Sequence, residues 1–437
     1  MNNDNKNIEQ LQALSKLLAI EPNQLQEMAT EHGVTDKRQR KLSWSQFLLI
    51  HIMSILEKGS RHIDRVMIAE SNFDIHVGEK TMSDRLMKIP ASFLFRLISL
   101  MQQNIYRSIP SENRQSALKI SRLLVEDATI LKLSDLLAPQ FGHYPGSKIV
   151  AAKIYLLIDA FTNEIEALDI SKGNTSDLNH DLKAANYQEN TLELRDRGWY
   201  GSPYYKRMVE AGRYFIMRTK STFNPVIDKV QKGDPLWEGK KLKNIKLPDN
   251  GEIHFRFYPL KKSVKTKVKL SAGDYLYLDV IGKKVEGVWH FLICYLKEDW
   301  NFTFDELFDI YRYRWNIEVL FKELKSGLSL TKTRLTNEKS IINHICLIVI
   351  AYLIMLRTVK IFATAHKRRW EGISKYRMMQ GSLHHEFVTL LWDWINSATI
   401  WRLTDWQIRS GPLFKLLYHA NYGKCRRNRN LRAALAP

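Results

Sequence analysis

Across 437 residues, 66 lysines and arginines against 46 aspartates and glutamates leave a net charge of +20 in a chain that is 45% hydrophobic. A surplus that large points to a polyanionic partner, and the apolar content excludes a disordered basic tail while the length suggests two to four domains. Three widely separated cysteines, Cys294, Cys346 and Cys425, form no C-x-x-C pair, which argues against a disulfide framework and against a thiolate zinc site.

The amino terminus, MNNDNKNIEQLQ, has no apolar core of a secretory signal, so a cytoplasmic location is expected. Residues 1 to about 118 are helical in pattern, with periodic segments such as IEQLQALSKLLAI and SQFLLIHIMSILEK, the second preceded by the basic cluster KRQRK at 37–41. Between 61 and 89 a short helix, a turn near Gly78 and a helix from Thr81 fit either a helix-turn-helix or an ordinary helical hairpin.

The texture changes at residue 121. SRLLVEDATILKL, KIYLLIDA and EIEALDIS have strand length and strand composition, the last two joined as a hairpin through DAFTNE. A helix-like stretch follows, then strand NTLELRDRGWY with a turn at Gly198, helix YYKRMVEAG and strand YFIMRT. Three strands, a helix, a strand, a helix and a strand are the element order of a ribonuclease H-like fold.

Residues 221–300 interrupt that order with a second β-rich segment containing IHFRFY, YLYLDVIG and WHFLICYL. In VKTKVKL the alternation sets Lys265, Lys267 and Lys269 on one basic face of this antiparallel insertion. Long helices then run to the basic tail GKCRRNRNLR. The apolar run ICLIVIAYLIML at 345–356 falls short of the roughly 20 residues a bilayer demands and reads as a buried helix. His384, His385 and Glu386 read as an exposed polar patch, since neighbours on a helix diverge by about 100°.

Within the returning helices, YRYRWNIEVLFKELK at 311–325 puts Tyr311, Arg314, Lys322 and Lys325 within about 40° of Glu318, apart from an apolar stripe of Ile310, Ile317, Phe321, Leu324 and Leu328. One glutamate among cations is either a solvated i,i+4 ladder or a cation ligand beside an anion-binding set of Tyr311, Arg314 and Lys325. Asp127, at the end of the apolar run LLVEDAT, and Asp196, before a tight Arg-Gly turn, lie on strands that this topology makes central and adjacent. Asp127, Asp196 and Glu318 then converge and suit two Mg²⁺ ions, which accept oxygen ligands and catalyse in-line displacement at phosphorus. Other charged residues have ordinary uses: Asp159 forms a hairpin turn, Asp169, Asp177 and Asp181 precede or cap a helix, Glu126 points away from Asp127, and Lys322 and Glu323 are solvated charges.

No P-loop, G-x-S-x-G or H-E-x-x-H is present. Phosphodiester chemistry without a nucleotide cofactor therefore fits best. Tyr311, Arg314, Glu318 and Lys325, at spacings of two, three and six intervening residues, resemble the Tyr-Arg-Glu-Lys signature of bacterial insertion-sequence transposases, the DDE cut-and-paste enzymes. Asp127-Ala128-Thr129 and Asp196-Arg197-Gly198 are similar to that group's first and second catalytic aspartates. The resemblance, over roughly residues 120–350, implies a ribonuclease H-like mixed-sheet core (119–220 and 301–345) with the β insertion at 221–300, flanked by a helical DNA-end-binding domain (1–118) and a helical carboxy-terminal region (346–437).

It implies metal binding by Asp127, Asp196 and Glu318, with Mn²⁺ able to replace Mg²⁺, and phosphate contacts from Tyr311, Arg314 and Lys325. It also implies a homodimer pairing two double-stranded DNA ends at terminal inverted repeats, with strand transfer into target DNA near the bacterial nucleoid and no membrane partner. Some members stack a flipped base on a tryptophan before the signature helix. Trp289 in VWHFLICYL is similarly placed, with a core position as the alternative and Trp300 as competitor. A transposase-derived repressor without catalysis and a structure-specific nuclease with the same core are the alternatives.

Overall fold

The computed structural model describes residues 3–36, 42–59, 61–108, 119–184, 187–249, 251–259, 276–332, 334–368, 373, 375–379, 381–397 and 402–417. The cluster at 37–41, the insertion lysines Lys265, Lys267 and Lys269, and the tail from 418 lie outside the described residues.

The periodic amino-terminal region forms helices α1 (Asn3–Leu18), α2 (Pro22–Glu31), α3 (Trp44–Leu56), α4 (His62–Phe73), α5 (Glu79–Lys88) and α6 (Ala91–Ser108). Helix α3 opens with a capping box in which the Ser43 hydroxyl accepts from the Gln46 amide at 3.2 Å and the Gln46 side chain takes the Ser43 amide at 2.6 Å. Every residue of α3 is buried, as an all-round apolar helix requires. Helices α4 and α5 pack on each other as the expected pair.

Strands β1 (Arg122–Lys132), β2 (Ala151–Asp159) and β3 (Glu164–Lys172) form an antiparallel meander, with a short helix, α7 (Ala138–Phe141), in the β1–β2 connection. Strand β4 (Thr191–Arg195) pairs parallel with β1, helix α8 (Ser202–Glu210) follows, and β5 (Tyr214–Arg218) pairs parallel with β4. The order β3-β2-β1-β4-β5 with this mixture of directions is a ribonuclease H-like core.

Among the described residues the helix expected after β3 is absent. Residues 177–179 make a single 3₁₀ turn and the rest of the crossover is irregular. The reason is local competition for the backbone: the Leu182 amide is taken by the Glu126 carboxylate at 3.2 Å, and Asp177 accepts the Tyr155 hydroxyl at 3.0 Å.

The insertion does not build a separate sheet. Strands β6 (Ile227–Lys232), β7 (Glu252–Phe257), β8 (Leu278–Val285) and β9 (Val288–Tyr295) extend the core in the order β5-β9-β8-β7-β6, all antiparallel, giving nine strands in one sheet. Strand β6 carried no clear alternation in the sequence.

The chain returns through α9 (Phe304–Arg312) and α10 (Trp315–Lys322) to α11 (Glu338–Ala365), a short α12 (Lys375–Met378), α13 (Gly381–Asn396) and α14 (Leu403–Leu417). Helix α11 is long and apolar enough to cross a membrane, but its apolar window is 83% buried. It packs on α3, α5, α6, α14 and β3 as the core helix of the molecule. His384 hydrogen-bonds the Leu56 carbonyl while His385 and Glu386 are exposed, so the polar patch expected there loses one member.

Candidate active site

The pleat sorts β1 onto two faces. Leu123, Val125 and Leu131 point into the large core with Leu192, Leu194 and α11, and Asp127 shares their parity. Tyr155 and Ala128 face α8 on the other side, with Tyr204 and Tyr205. The last β1–β4 pair is Glu126 with Arg195, so Asp127 and Asp196 are the next residues on two adjacent parallel strands, level with each other at the open end of the ladder. Asp196 opens the 3₁₀ turn Arg197–Trp199. A Cβ on Gly198 would come within 2.8 Å of the Asp177 carboxylate, so a larger residue there would push that side chain aside.

The helix that brings Glu318 is pinned at three points. A capping box starts α9, the Thr303 hydroxyl accepting from the Glu306 amide at 3.3 Å and the Glu306 carboxylate from the Thr303 amide at 2.6 Å. The Tyr311 hydroxyl donates to the Arg195 carbonyl at 3.2 Å, tying α9 to the end of β4. The Asn316 side chain donates to the Ala160 carbonyl at 3.0 Å, tying α10 to the β2–β3 turn.

The stretch 311–325 departs from one ideal helix. Between α9 and α10 the amides of Tyr313, Arg314 and Asn316 bond three residues back, at 3.0, 3.1 and 2.9 Å, which tightens the rod. After Lys322 the chain widens into a π-turn over Glu323–Gly327 that carries Lys325. The apolar stripe is as expected, with Ile310, Ile317, Phe321, Leu324 and Leu328 all buried. Glu323, expected as a solvated charge, is buried. Its carboxylate lies 3.2 Å from the Lys375 ammonium, which donates to the Tyr352 hydroxyl at 3.0 Å. Lys322 is exposed, as expected.

Asp127, Asp196, Arg314 and Glu318 form one electrostatic group. Arg314 hydrogen-bonds the Glu318 carboxylate and lies 3.8 Å from Asp127 Oδ2. The Asp127 carboxyl is pushed up to about 7, first by burial and then by the charges of Asp196 and Glu318, while the Ala128 amide and Arg314 oppose the shift. Burial works against the Arg314 charge, but its bond to Glu318 and the nearby Tyr311 and Asp196 raise it overall. Burial pushes the Tyr311 hydroxyl up to about 12. Lys325 is half-buried, burial lowers its pKa, and among the described residues no carboxylate pairs with it.

Among the described residues no three His, Cys, Asp or Glu side chains already close around one point. The donor set nonetheless suits a hard divalent cation: it is oxygen only, and its mutual repulsion exceeds what Arg314 alone offsets.

Trp289 is half-buried, its ring stacked on Phe291 at 6.0 Å and 17°. It lines a cavity of about 620 Å³ together with Arg197, Arg218, Lys220, Lys243 and Phe223. Trp300 is buried against Tyr214 and Phe302 and belongs to the core.

Behind the sheet lies a charge lattice that sequence reasoning missed. Asp169 sits on β3 instead of capping a helix, and it takes the His180 ring at 2.9 Å while Glu126 takes the other ring nitrogen at 3.0 Å. Asp181 accepts Arg213 at 2.8 Å. Asp159 matches its expected turn role, accepting the Phe161 amide at 2.9 Å beside Arg122. The one local signal for the lattice was three ionic residues, Glu126, Glu193 and Arg195, set within otherwise apolar strands.

The His180 ring is raised to about 9; burial lowers it, and the bonds to Asp169 and Glu126 more than reverse that. A folded pKa above the unfolded value near 6.5 stabilises fully below 6.5, and the contribution disappears as pH rises through about 9. The expected result is a melting temperature that falls more between pH 7 and 10 in the wild type than in His180→Phe. Parallel curves for the two proteins would show that the ring titrates alike in both states.

A family model described as "Transposase DDE domain" matches residues 119–354. A curated relative, the transposase for insertion sequence element IS1151 of Clostridium perfringens, is 21% identical over 304 residues, covering 60% of this chain and 62% of its own length. The chain thus spans about three fifths of that relative. A solved chain from a cryo-EM structure of the piggyBac transposase synaptic complex with hairpin DNA aligns over 94% of this chain and 86% of its own, at 9% identity and a TM-score of 0.45. The family match covers more than half of the sequence and takes in β1, β4 and the helices that carry Tyr311 to Lys325, and the chain belongs to the family of transposase DDE domains.

Proposed function

We propose that the protein is a cut-and-paste transposase that binds the terminal inverted repeats of an insertion sequence, cleaves them and joins them to target DNA. The observation that supports this most is the level placement of Asp127 and Asp196 at the open end of the β1–β4 ladder, with Glu318 brought over them on a pinned helix.

In this reading Asp127, Asp196 and Glu318 hold a pair of Mg²⁺ ions. When bound, these would activate the attacking oxygen and stabilise the leaving oxygen of an in-line displacement. Arg314, which bonds Glu318 and lies beside Asp127, would be placed to contact a DNA phosphate next to the carboxylates. Lys325 grips a second phosphate, as a half-buried cation without a carboxylate partner among the described residues is placed to do. Tyr311 keeps its hydroxyl on β4 and orients α9. Trp289 offers a flat ring on the wall of a cationic cavity next to Arg197, a surface suited to an unstacked base. The active species is a homodimer on two DNA ends, and the amino-terminal helices and the insertion lysines Lys265, Lys267 and Lys269 read the DNA flanking the cut. A repressor without catalysis would have no use for three intact carboxylates.

The direct test incubates the full chain with labelled DNA carrying the inverted repeats that flank its coding sequence, with and without Mg²⁺. Metal-dependent cuts at the repeat boundary are expected; binding without any cut would support the repressor instead.

Lys325→Ala should weaken binding to that DNA roughly tenfold to a hundredfold, the worth of a charge-assisted contact, and leave thermal stability unchanged. Wild-type affinity in a gel-shift titration would return Lys325 to the role of a helix-surface charge.

A further inference from the structure

Glu126 and Arg195 immediately precede the two aspartates and point to the opposite face of the sheet, where both side chains are completely buried. Oε2 of Glu126 lies 3.0 Å from Nη2 of Arg195 across the β1–β4 pair. Glu126 also takes the His180 ring at 3.0 Å and the Leu182 amide at 3.2 Å. Arg195 donates Nε to the Tyr204 hydroxyl at 2.6 Å, bonds Glu193 through Nη2, and offers its backbone carbonyl to Tyr311 at 3.2 Å. Arg213 completes the lattice, holding Glu193 at 2.6 Å and Asp181 at 2.8 Å.

Stability alone is a poor reason for such an arrangement. Desolvating two charges costs several kcal/mol per ion, and well-packed apolar residues of similar volume often do as well or better. What an apolar pair lacks is direction. Glu126 and Arg195 are the last register partners of β1 and β4, so Asp127 and Asp196 are the first residues with no ladder between them. Their separation depends on how the strand ends diverge.

We propose that Glu126 and Arg195 are positioning residues: their buried ion pair clamps the open end of the β1–β4 ladder and holds Asp127 and Asp196 at the separation that lets them share divalent cations. This rests on the assignment of both aspartates as metal ligands. The clamp reaches three elements at once, because Arg195 holds β1 through Glu126, α8 through Tyr204 and α9 through its carbonyl. Lysine could keep the charge but not the fork.

The test compares full-length wild type, Glu126→Gln/Arg195→Met, Arg195→Lys and Asp127→Ala on DNA bearing the terminal repeat, with cleavage followed across a Mg²⁺ titration beside melting and gel-shift curves. The double variant removes both charges together and keeps an acceptor for the Leu182 amide. It should fold and bind DNA like wild type, melting lower because His180 and Glu193 each lose a partner, yet need roughly tenfold or more Mg²⁺ for half-maximal cleavage and cut about 10- to 100-fold more slowly, the usual effect of losing a partner that orients metal ligands. Arg195→Lys should fall between the two. A folded double variant with wild-type Mg²⁺ dependence and rate would overturn the proposal. If the double variant does not fold, wild-type Mg²⁺ dependence in Arg195→Lys would overturn it equally. Normal cleavage by Asp127→Ala would instead sink the metal-ligand assignment beneath it.

Discussion

Asp127→Ala, Asp196→Ala and Glu318→Ala should each abolish DNA strand cleavage while leaving binding to the terminal repeat intact. On the proposed assignment, each substitution deletes a metal ligand and no phosphate contact. Metal-assisted stabilisation of the transferring phosphoryl group is worth several kcal/mol, so the rate should fall on the order of a thousandfold or more. The three are also expected to differ in stability. Asp127 is held at about 7 by burial and by the neighbouring acids, so its removal relieves repulsion and should raise the melting temperature at pH 8. Glu318 partners Arg314, and its loss should not stabilise. Single-turnover cleavage assays beside gel shifts and melting curves separate these effects. Cleavage near the wild-type rate in any one variant would remove that residue from the site.

The largest expected effect on stability is at Lys375. Its ammonium is buried against Glu323 and Tyr352, and Met379, four residues on, fills the notch beside Gly327. Lys375→Met leaves the Glu323 carboxylate buried without its cation, which typically costs about 3–5 kcal/mol. Urea denaturation followed by circular dichroism should show the midpoint drop. Adding Glu323→Gln to the same chain should recover most of the loss, because an uncharged amide in that pocket no longer demands a counter-ion. A midpoint unchanged in Lys375→Met would mean that Glu323 finds another donor or solvent. The contact joins the carboxy-terminal region to the turn that carries Lys325.

Much of the candidate site was legible in the sequence. Short, strongly apolar runs of strand length marked β1 to β5, and their order named the core, because strand composition is local and survives without knowledge of partners. The four residues Tyr311, Arg314, Glu318 and Lys325 were readable for the same reason: helical spacing is a property of neighbouring residues. Two elements were misjudged locally. The stretch after β3 has helix-compatible composition, yet its backbone amide at Leu182 is taken by Glu126, a residue more than fifty positions earlier. Tyr311 to Lys325 has helical periodicity throughout, yet it is tightened near Arg314 and widened from Glu323, where its π-turn receives Met379 and Lys375 from the carboxy-terminal region.

By itself the sequence determined which carboxylates are candidates and which strands and helices carry them, and its charge pointed to a polyanionic partner. Tertiary structure alone decided that Asp127 and Asp196 stand level, that the insertion extends the core sheet, that Glu126 and Glu193 are buried ion-pair partners, and that Glu323 is one too instead of a solvated acid. The reason is physical: a charge written in a sequence carries no mark of its counter-ion. For Glu126 and Glu323 that counter-ion stands 69 and 52 residues away, and only the folded chain brings the two together.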